Sequence, residues 1–276
     1  KLECGYSDVK KKIIHNLSYA KNFFSDIEWS SEDATRSDKK FLADCLSLAI
    51  ENGATTINIA DTVGYIYPDD LEELINYLKR NVYNFNKVIF SVHCHNDLGM
   101  ATMNSLKAIE NGATQVECTL NGIGERAGNA SLQEIVMNLK IRSKKLKKKT
   151  NIKFKNLFKT SVFLSKTVGI DIGKTDPIIG ENAFTHESGI HQHGVIKNKK
   201  TYEIITPELI GRKSGVLTLG INSGKHGIKY HLKKNKIKVN NLSKFYKFFK
   251  MRSANLKIVD KFMLFKIFNE YKNKII

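Results

Sequence analysis

The chain has 276 residues, 41% of them hydrophobic, which is enough for one large α/β domain with a smaller appendage. No apolar stretch is long enough to span a membrane and no basic start leads into an apolar core, so the sequence reads as a soluble, cytoplasmic protein without a signal peptide. The formal charge of +18 invites a nucleic-acid partner, yet only six of the 45 basic residues are arginine, the residue that makes bidentate base and phosphate contacts; the lysines spread along the whole chain, and no nucleic-acid partner is expected.

Taken from the N-terminus, residues 7–24 read as a helix leading into a first strand over 26–30. A helix over 37–51 follows, and it ends in Ala49-Ile50-Glu51-Asn52-Gly53-Ala54-Thr55, where Asn-Gly signals a left-handed C-cap. The same heptapeptide recurs as Ala108-Ile109-Glu110-Asn111-Gly112-Ala113-Thr114, and an alternating, strand-like run follows each copy. Strands over 56–61, 87–93 and 115–120 and helices over 68–81, 100–110 and 131–142 complete four successive βα units. That rhythm predicts a parallel sheet with right-handed crossovers, either doubly wound or part of a (β/α)8 barrel. Past residue 143 the rhythm stops. A Lys-rich linker leads into helical segments broken by Gly-rich stretches, so the chain divides at 1–143 and 144–276.

Each predicted strand ends in chemically capable residues, which is where α/β barrels place their active sites. The third strand ends in His93-Cys94-His95-Asn96-Asp97, and residues i and i+2 of a strand share a face, so His93 and His95 would project two imidazoles to one side. They are half of a metal site or two ordinary histidines where a strand frays. Asn129, in the loop after the fourth strand, can add an oxygen ligand, and nitrogen with oxygen donors suits Mn²⁺, Mg²⁺ or catalytic Zn²⁺, a Lewis acid able to polarise a ketone. Glu32 is either a functional carboxylate or the acidic first turn of a helix after Ser30-Ser31, and Thr62 could equally cap a turn. The loop 121–130 is glycine-rich but lacks the complete Gly-x-Gly-x-x-Gly spacing of a dinucleotide site. His186, His191 and His193 have zinc-like density, although a single catalytic histidine is the more natural use of such a loop. The four cysteines, Cys4, Cys45, Cys94 and Cys118, have no Cys-x-x-Cys spacing and read as reduced thiols.

The run Phe90-Ser91-Val92-His93-Cys94-His95-Asn96-Asp97-Leu98-Gly99-Met100-Ala101, followed by Asn121-Gly122-Ile123-Gly124-Glu125-Arg126-Ala127-Gly128-Asn129, resembles the signature of the 2-isopropylmalate synthases, shared with homocitrate and citramalate synthases. Ser30-Ser31-Glu32-Asp33-Ala34, Asp61-Thr62-Val63-Gly64, Ser188-Gly189-Ile190-His191-Gln192 and Thr201-Tyr202-Glu203-Ile204-Ile205-Thr206-Pro207 extend the resemblance over roughly residues 25–231. It implies a TIM barrel and a divalent metal, Mn²⁺ first, held by His93, His95 and Asn129. Ser30, Glu32 and Thr62 would line the substrate pocket, and His191 and Tyr202 would come from the second domain, reaching into a partner subunit of a homodimer or larger oligomer. The implied reaction condenses acetyl-CoA with 2-oxoisovalerate to 2-isopropylmalate and CoA, the first committed step of leucine biosynthesis. Glu32 or His191 would be the base that removes the methyl proton. The family's first strand carries an Arg-Asp-Gly segment that supplies a fourth ligand. None occurs here, nor any counterpart of the C-terminal regulatory domain, and the chain begins without Met. The expectation is therefore the C-terminal half of the barrel followed by a mainly helical subdomain. His193 stands where the family often has an acid. A reading of another class is an inactive, basic binding protein.

Overall fold

A computed structural model describes residues 4–186, 188–213, 216–217, 219–256 and 259–274. The chain divides into two compact units, Lys1–Ile152 and Lys153–Ile276. In the first, helix α1 (Tyr6–Ala20) precedes four βα units: β1 (Glu28–Ser31), α2 (Lys39–Glu51), β2 (Thr56–Asp61), α3 (Pro68–Asn81), β3 (Ile89–Cys94), α4 (Ala101–Glu110), β4 (Gln115–Glu117) and α5 (Leu132–Ile141), closed by the short α6 (Ser143–Leu146). The strands pair in parallel in the order β1-β2-β3-β4. Strand order that follows the sequence without reversal excludes the doubly wound alternative and is the order of a barrel.

Local chemistry sets these bounds. Pro68 stands at the first helical position of α3 and Asp69 and Asp70 in its first turn, where the fixed φ and the negative charge favour a helix start. Asp38 caps α2 by accepting from the Phe41 backbone N–H at 2.8 Å. Both copies of the repeated heptapeptide stop their helices at a glycine of positive φ, 107° at Gly53 and 99° at Gly112. The fourth strand is shorter than its apolar alternation predicts. After Glu117 the chain pairs sideways, with Thr119 N–H donating to Ala130 O at 3.0 Å, and Asn121 takes a left-handed φ of 62°.

The two faces of the sheet differ in kind. Ile57, Ile59, Phe90, Val92 and Cys94 point to one side and are buried with Leu42 and Leu46 of α2, Leu71, Leu74, Ile75 and Leu78 of α3, and Ile109 and Ile135 of α4 and α5. The in-register residues of the other face are Ser30, Asn58, Ser91 and Gln115, and then Ala60, His93 and Glu117 one step toward the carboxyl ends. Glu28 at the foot of β1 and Gln115 of β4 would stand about 14 Å apart across a flat four-stranded sheet. Gln115 Nε2 nevertheless donates to Glu28 Oε2 at 2.7 Å, so the sheet is curled with its polar face concave. Helices outside and polar side chains inside a curled parallel sheet are the arrangement of part of a barrel.

In the second unit, α7 (Leu157–Val168), a two-residue parallel pair of β5 (Thr185–His186) and β6 (Val216–Leu217), and α8 (Gly189–Lys197) precede three helices, α9 (Lys225–Lys234), α10 (Leu242–Arg252) and α11 (Lys261–Asn273). Ile228, Leu232, Phe245, Phe249, Leu264 and Ile267 form its main core. Asn241 and Asp260 cap α10 and α11 through backbone N–H groups at 2.9 and 2.7 Å.

Candidate metal centre

Period-two geometry places His93 on the concave face, and the bridge of His95 to Asn129 carries the next residue of that face past the end of β3. The two imidazoles converge: their Nε2 atoms are 3.0 Å apart. Two ligands bound to one divalent ion at about 2.1 Å and at right angles lie roughly 3 Å from each other, so the separation suits nitrogens sharing a cation. Burial holds both imidazoles below their ordinary pKa. Glu28 opposes the effect at His93, and the charges of His93 and Arg126 add to it at His95. Both rings are therefore neutral in neutral solution, as metal ligands must be.

The loop after β4 presents Asn129 alongside. Its backbone N–H donates to Gly122 O at 2.9 Å, and its side-chain Nδ2 donates to Ile123 O at 3.1 Å. That fixes the amide so that Oδ1 faces away from these partners, and Oδ1 is buried without a hydrogen bond. A buried acceptor left unmade costs about 1–3 kcal/mol, which a cation would recover. Gly124 leaves the room that Asn129 occupies, since a Cβ there would sit 2.3 Å from Nδ2. Among the described residues no group of three His, Cys, Asp or Glu side chains is placed to hold a metal. The donor set His93, His95 and Asn129 thus depends on the amide oxygen, and it fits a borderline or hard divalent cation that takes nitrogen and oxygen together.

A clamp joins the loops that carry these residues. Arg126 donates through Nε and Nη2 to the two carboxylate oxygens of Asp97 at 2.7 and 2.9 Å, and through Nη2 to the Thr62 carbonyl at 2.7 Å. This bidentate contact holds Asp97 below the usual carboxylate range and raises Arg126. Arg126 takes a left-handed φ of 54° to make it.

The other expected site residues are distributed unevenly. Ser30 is on the concave face, where its Oγ accepts from Asn58 Nδ2 at 2.9 Å. Glu32 lies exposed in the turn after β1. Thr62 spends its hydroxyl on the backbone, accepting from Asp33 N–H at 2.8 Å, which is the turn-capping use. His191 and Tyr202 pair within the second unit, ring centroids 4.4 Å apart, near a largely buried His186 whose Nε2 is 3.4 Å from Glu203 Oε1. His193 stacks on His226 at 4.1 Å.

Sequence reasoning passed over Glu28, Asn58, Gln115 and Glu117. Asn58 is fully buried, and its Nδ2 also donates to Glu117 Oε2 at 3.1 Å. Burial, followed by the contact with Glu117, pushes the Glu28 carboxyl up. The signal was present in the alternation of Thr56-Ile57-Asn58-Ile59 and Gln115-Val116-Glu117, where Thr56, Asn58, Gln115 and Glu117 are polar and on the side of His93.

Comparison with known proteins follows the division of the chain. A model of the HMGL-like family matches residues 1–164, and one described as homocitrate synthase post-HMGL domain-like matches residues 178–254. The 2-isopropylmalate synthase of Oceanobacillus iheyensis is 52% identical over 233 residues, which are 84% of this chain and 45% of that protein. That of Dictyoglomus turgidum is 52% identical over 232 residues, 84% of this chain and 46% of its own. The chain therefore spans less than half the length of these relatives. Among solved structures, the hydroxymethylglutaryl-CoA lyase of Pseudomonas aeruginosa superposes with a TM-score of 0.52 at 16% identity, covering 61% of this chain and 58% of that one. The HMG-CoA lyase of Brucella melitensis gives 0.51 at 14%, covering 62% of each. At those identities the likeness speaks for the barrel fold alone.

Proposed function

We propose that this chain, which belongs to the HMGL-like family, supplies the metal-binding half of an acyltransferase that condenses acetyl-CoA with 2-oxoisovalerate to 2-isopropylmalate and CoA, in leucine biosynthesis. The observation that carries the reading is the meeting of His93 Nε2 and His95 Nε2 at 3.0 Å, with Asn129, whose Oδ1 is buried without a hydrogen bond, bridged to His95 through the backbone on the carboxyl side of a parallel sheet. The names of the relatives at about half identity favour 2-oxoisovalerate over the substrates of homocitrate or citramalate synthases.

A divalent cation, Mn²⁺ in our proposal, held by His93, His95 and Asn129 would polarise the keto oxygen of the 2-oxo acid. On the concave face the Ser30 hydroxyl, held by Asn58, would add a hydrogen-bonding group for the substrate. The Arg126–Asp97 clamp keeps the loops of His95 and Asn129 in one geometry, so little reorganisation is needed when substrate arrives. Removal of the acetyl-CoA methyl proton falls to Glu32 or His191, with Tyr202 held against the His191 ring. His191 and Tyr202 would serve the site from a second copy in a homodimer.

Mn²⁺ titration followed by electron paramagnetic resonance tests the centre. One ion per protomer is expected, with binding lost in His93→Ala; binding that survives the substitution rules the site out. Thiol-detected CoA release by the polypeptide as its source makes it, with 2-oxoisovalerate against 2-oxoglutarate and pyruvate, tests the substrate. Faster release with either competitor would overturn the assignment.

A further inference from the structure

We infer that Glu117, braced by Asn58, is a positioning residue that fixes the tautomer and orientation of His93. The inference rests on the reading of His93 as a metal ligand. A neutral imidazole carries one proton, and if Nε2 is to offer its lone pair toward the point it shares with His95, the proton must sit on Nδ1. Nδ1 is buried and has no aligned hydrogen bond. An N–H left so is costly, and that cost would drive the ring to the opposite tautomer or rotate it away from His95.

One carboxylate stands at contact distance: Glu117 Oε2 is 2.8 Å from Nδ1, off the line of a good hydrogen bond but close enough for a small rotation of the carboxylate to bring it on. The backbone puts it there, because Glu117 of β4 is the in-register neighbour of His93 of β3 and their side chains leave the sheet on the same face. Asn58 supplies the brace. It is fully buried on the adjoining strand β2, and its Nδ2 donates to Glu117 Oε2 at 3.1 Å and to Ser30 Oγ at 2.9 Å. An amide that donates to both groups ties the carboxylate to the hydroxyl assigned to the substrate pocket. Carboxylates that accept from the far nitrogen of a ligating histidine are worth 10–100-fold in metal affinity. The Glu117 oxygen lies against Nδ1 while the ring's other nitrogen faces His95.

The test uses Mn²⁺ affinity, histidine ¹⁵N spectra and circular dichroism on the full chain. Glu117→Leu removes the acceptor and is expected to weaken Mn²⁺ binding 10–100-fold with an unchanged circular dichroism spectrum. Glu117→Gln keeps an acceptor oxygen, stays folded where a leucine could fail to, and is expected to lose markedly less. In the metal-free chain, ¹⁵N–¹H correlation should show His93 as the Nδ1–H tautomer, shifting to a mixture in Glu117→Leu. A His93 that already carries its proton on Nε2, or a folded Glu117→Leu that binds Mn²⁺ within twofold of the wild type, would overturn the inference while leaving the metal centre standing. Mn²⁺ binding indifferent to His93→Ala would instead remove the centre itself.

Discussion

Individual side chains carry two kinds of information, and the sequence exposes only one of them. His93 and His95 are legible because a period of two is fixed by the strand, and Asn129 because it closes a loop beside them. Asn58 and Glu117 belong to the same face by the same rule, but their part depends on the neighbouring strand's register, which no local pattern states. The Arg126–Asp97 clamp is hidden for a like reason: the partners come from different loops, and the bidentate contact exists only once both loops are folded. The clamp has a consequence for pH. Arg126 depresses the Asp97 pKa in the folded chain, so the contact stabilises above the unfolded value of about 3.9 and is lost as pH falls through the lower folded one. Acid unfolding followed by circular dichroism should therefore begin at higher pH in Arg126→Gln than in the wild type. Coincident acid limbs would mean that the clamp contributes nothing to the fold.

Elements were easiest to read where punctuation residues bound them. The strand over Thr56–Asp61 and the helix over Pro68–Asn81 have the expected limits, since Pro68 sets one start and an uninterrupted apolar alternation sets the other. Loops were harder, because their shape follows from close approaches between chain segments. Gly64 illustrates it. With φ at +60°, it lies where a Cβ would meet Asp97 N at 2.7 Å and the His95 carbonyl at 2.8 Å, so the loop after β2 supports the loop that carries the second histidine. Gly99 has a φ of +75° and nothing within 4 Å of a built Cβ. Gly99→Ala should then cost only the left-handed backbone penalty, about 1–2 kcal/mol. Gly64→Ala should cost clearly more in urea unfolding and should weaken Mn²⁺ binding as well, because His95 must move. Equal costs at the two positions would show that the contact with the His95 loop is relaxed at no expense.

At the scale of the whole chain, four βα units make a curled sheet, and curling without closure leaves a problem that composition cannot reveal. Among the described residues β1 and β4 each pair on one side only, so two rows of backbone donors and acceptors stand at the margins. In the segment that leads into β1, Tyr19, Phe23 and Phe24 are 63%, 62% and 66% exposed, with ring centroids of Tyr19 and Phe23 5.1 Å apart and of Phe23 and Phe24 6.4 Å apart. Exposed aromatic clusters and open strand edges are both surfaces that proteins ordinarily cover. The net charge of +18 opposes precipitation but is screened within about 10 Å at 0.1 M salt, too short a range to guard a contact between facing edges. The 276-residue polypeptide taken alone should therefore self-associate, increasingly so as salt is added, and light scattering coupled to size exclusion will read this as a mass above 31.3 kDa. Phe23→Ser together with Phe24→Ser should lower that mass without altering the circular dichroism spectrum. Turnover is a separate question, because a condensing site needs both walls of its pocket. On this sheet one wall is present, so Mn²⁺ should bind to the isolated chain while CoA release from acetyl-CoA and 2-oxoisovalerate stays at the uncatalysed rate. A monodisperse 31.3 kDa species with measurable CoA release would show that four strands suffice, and that the concave face closes its own site.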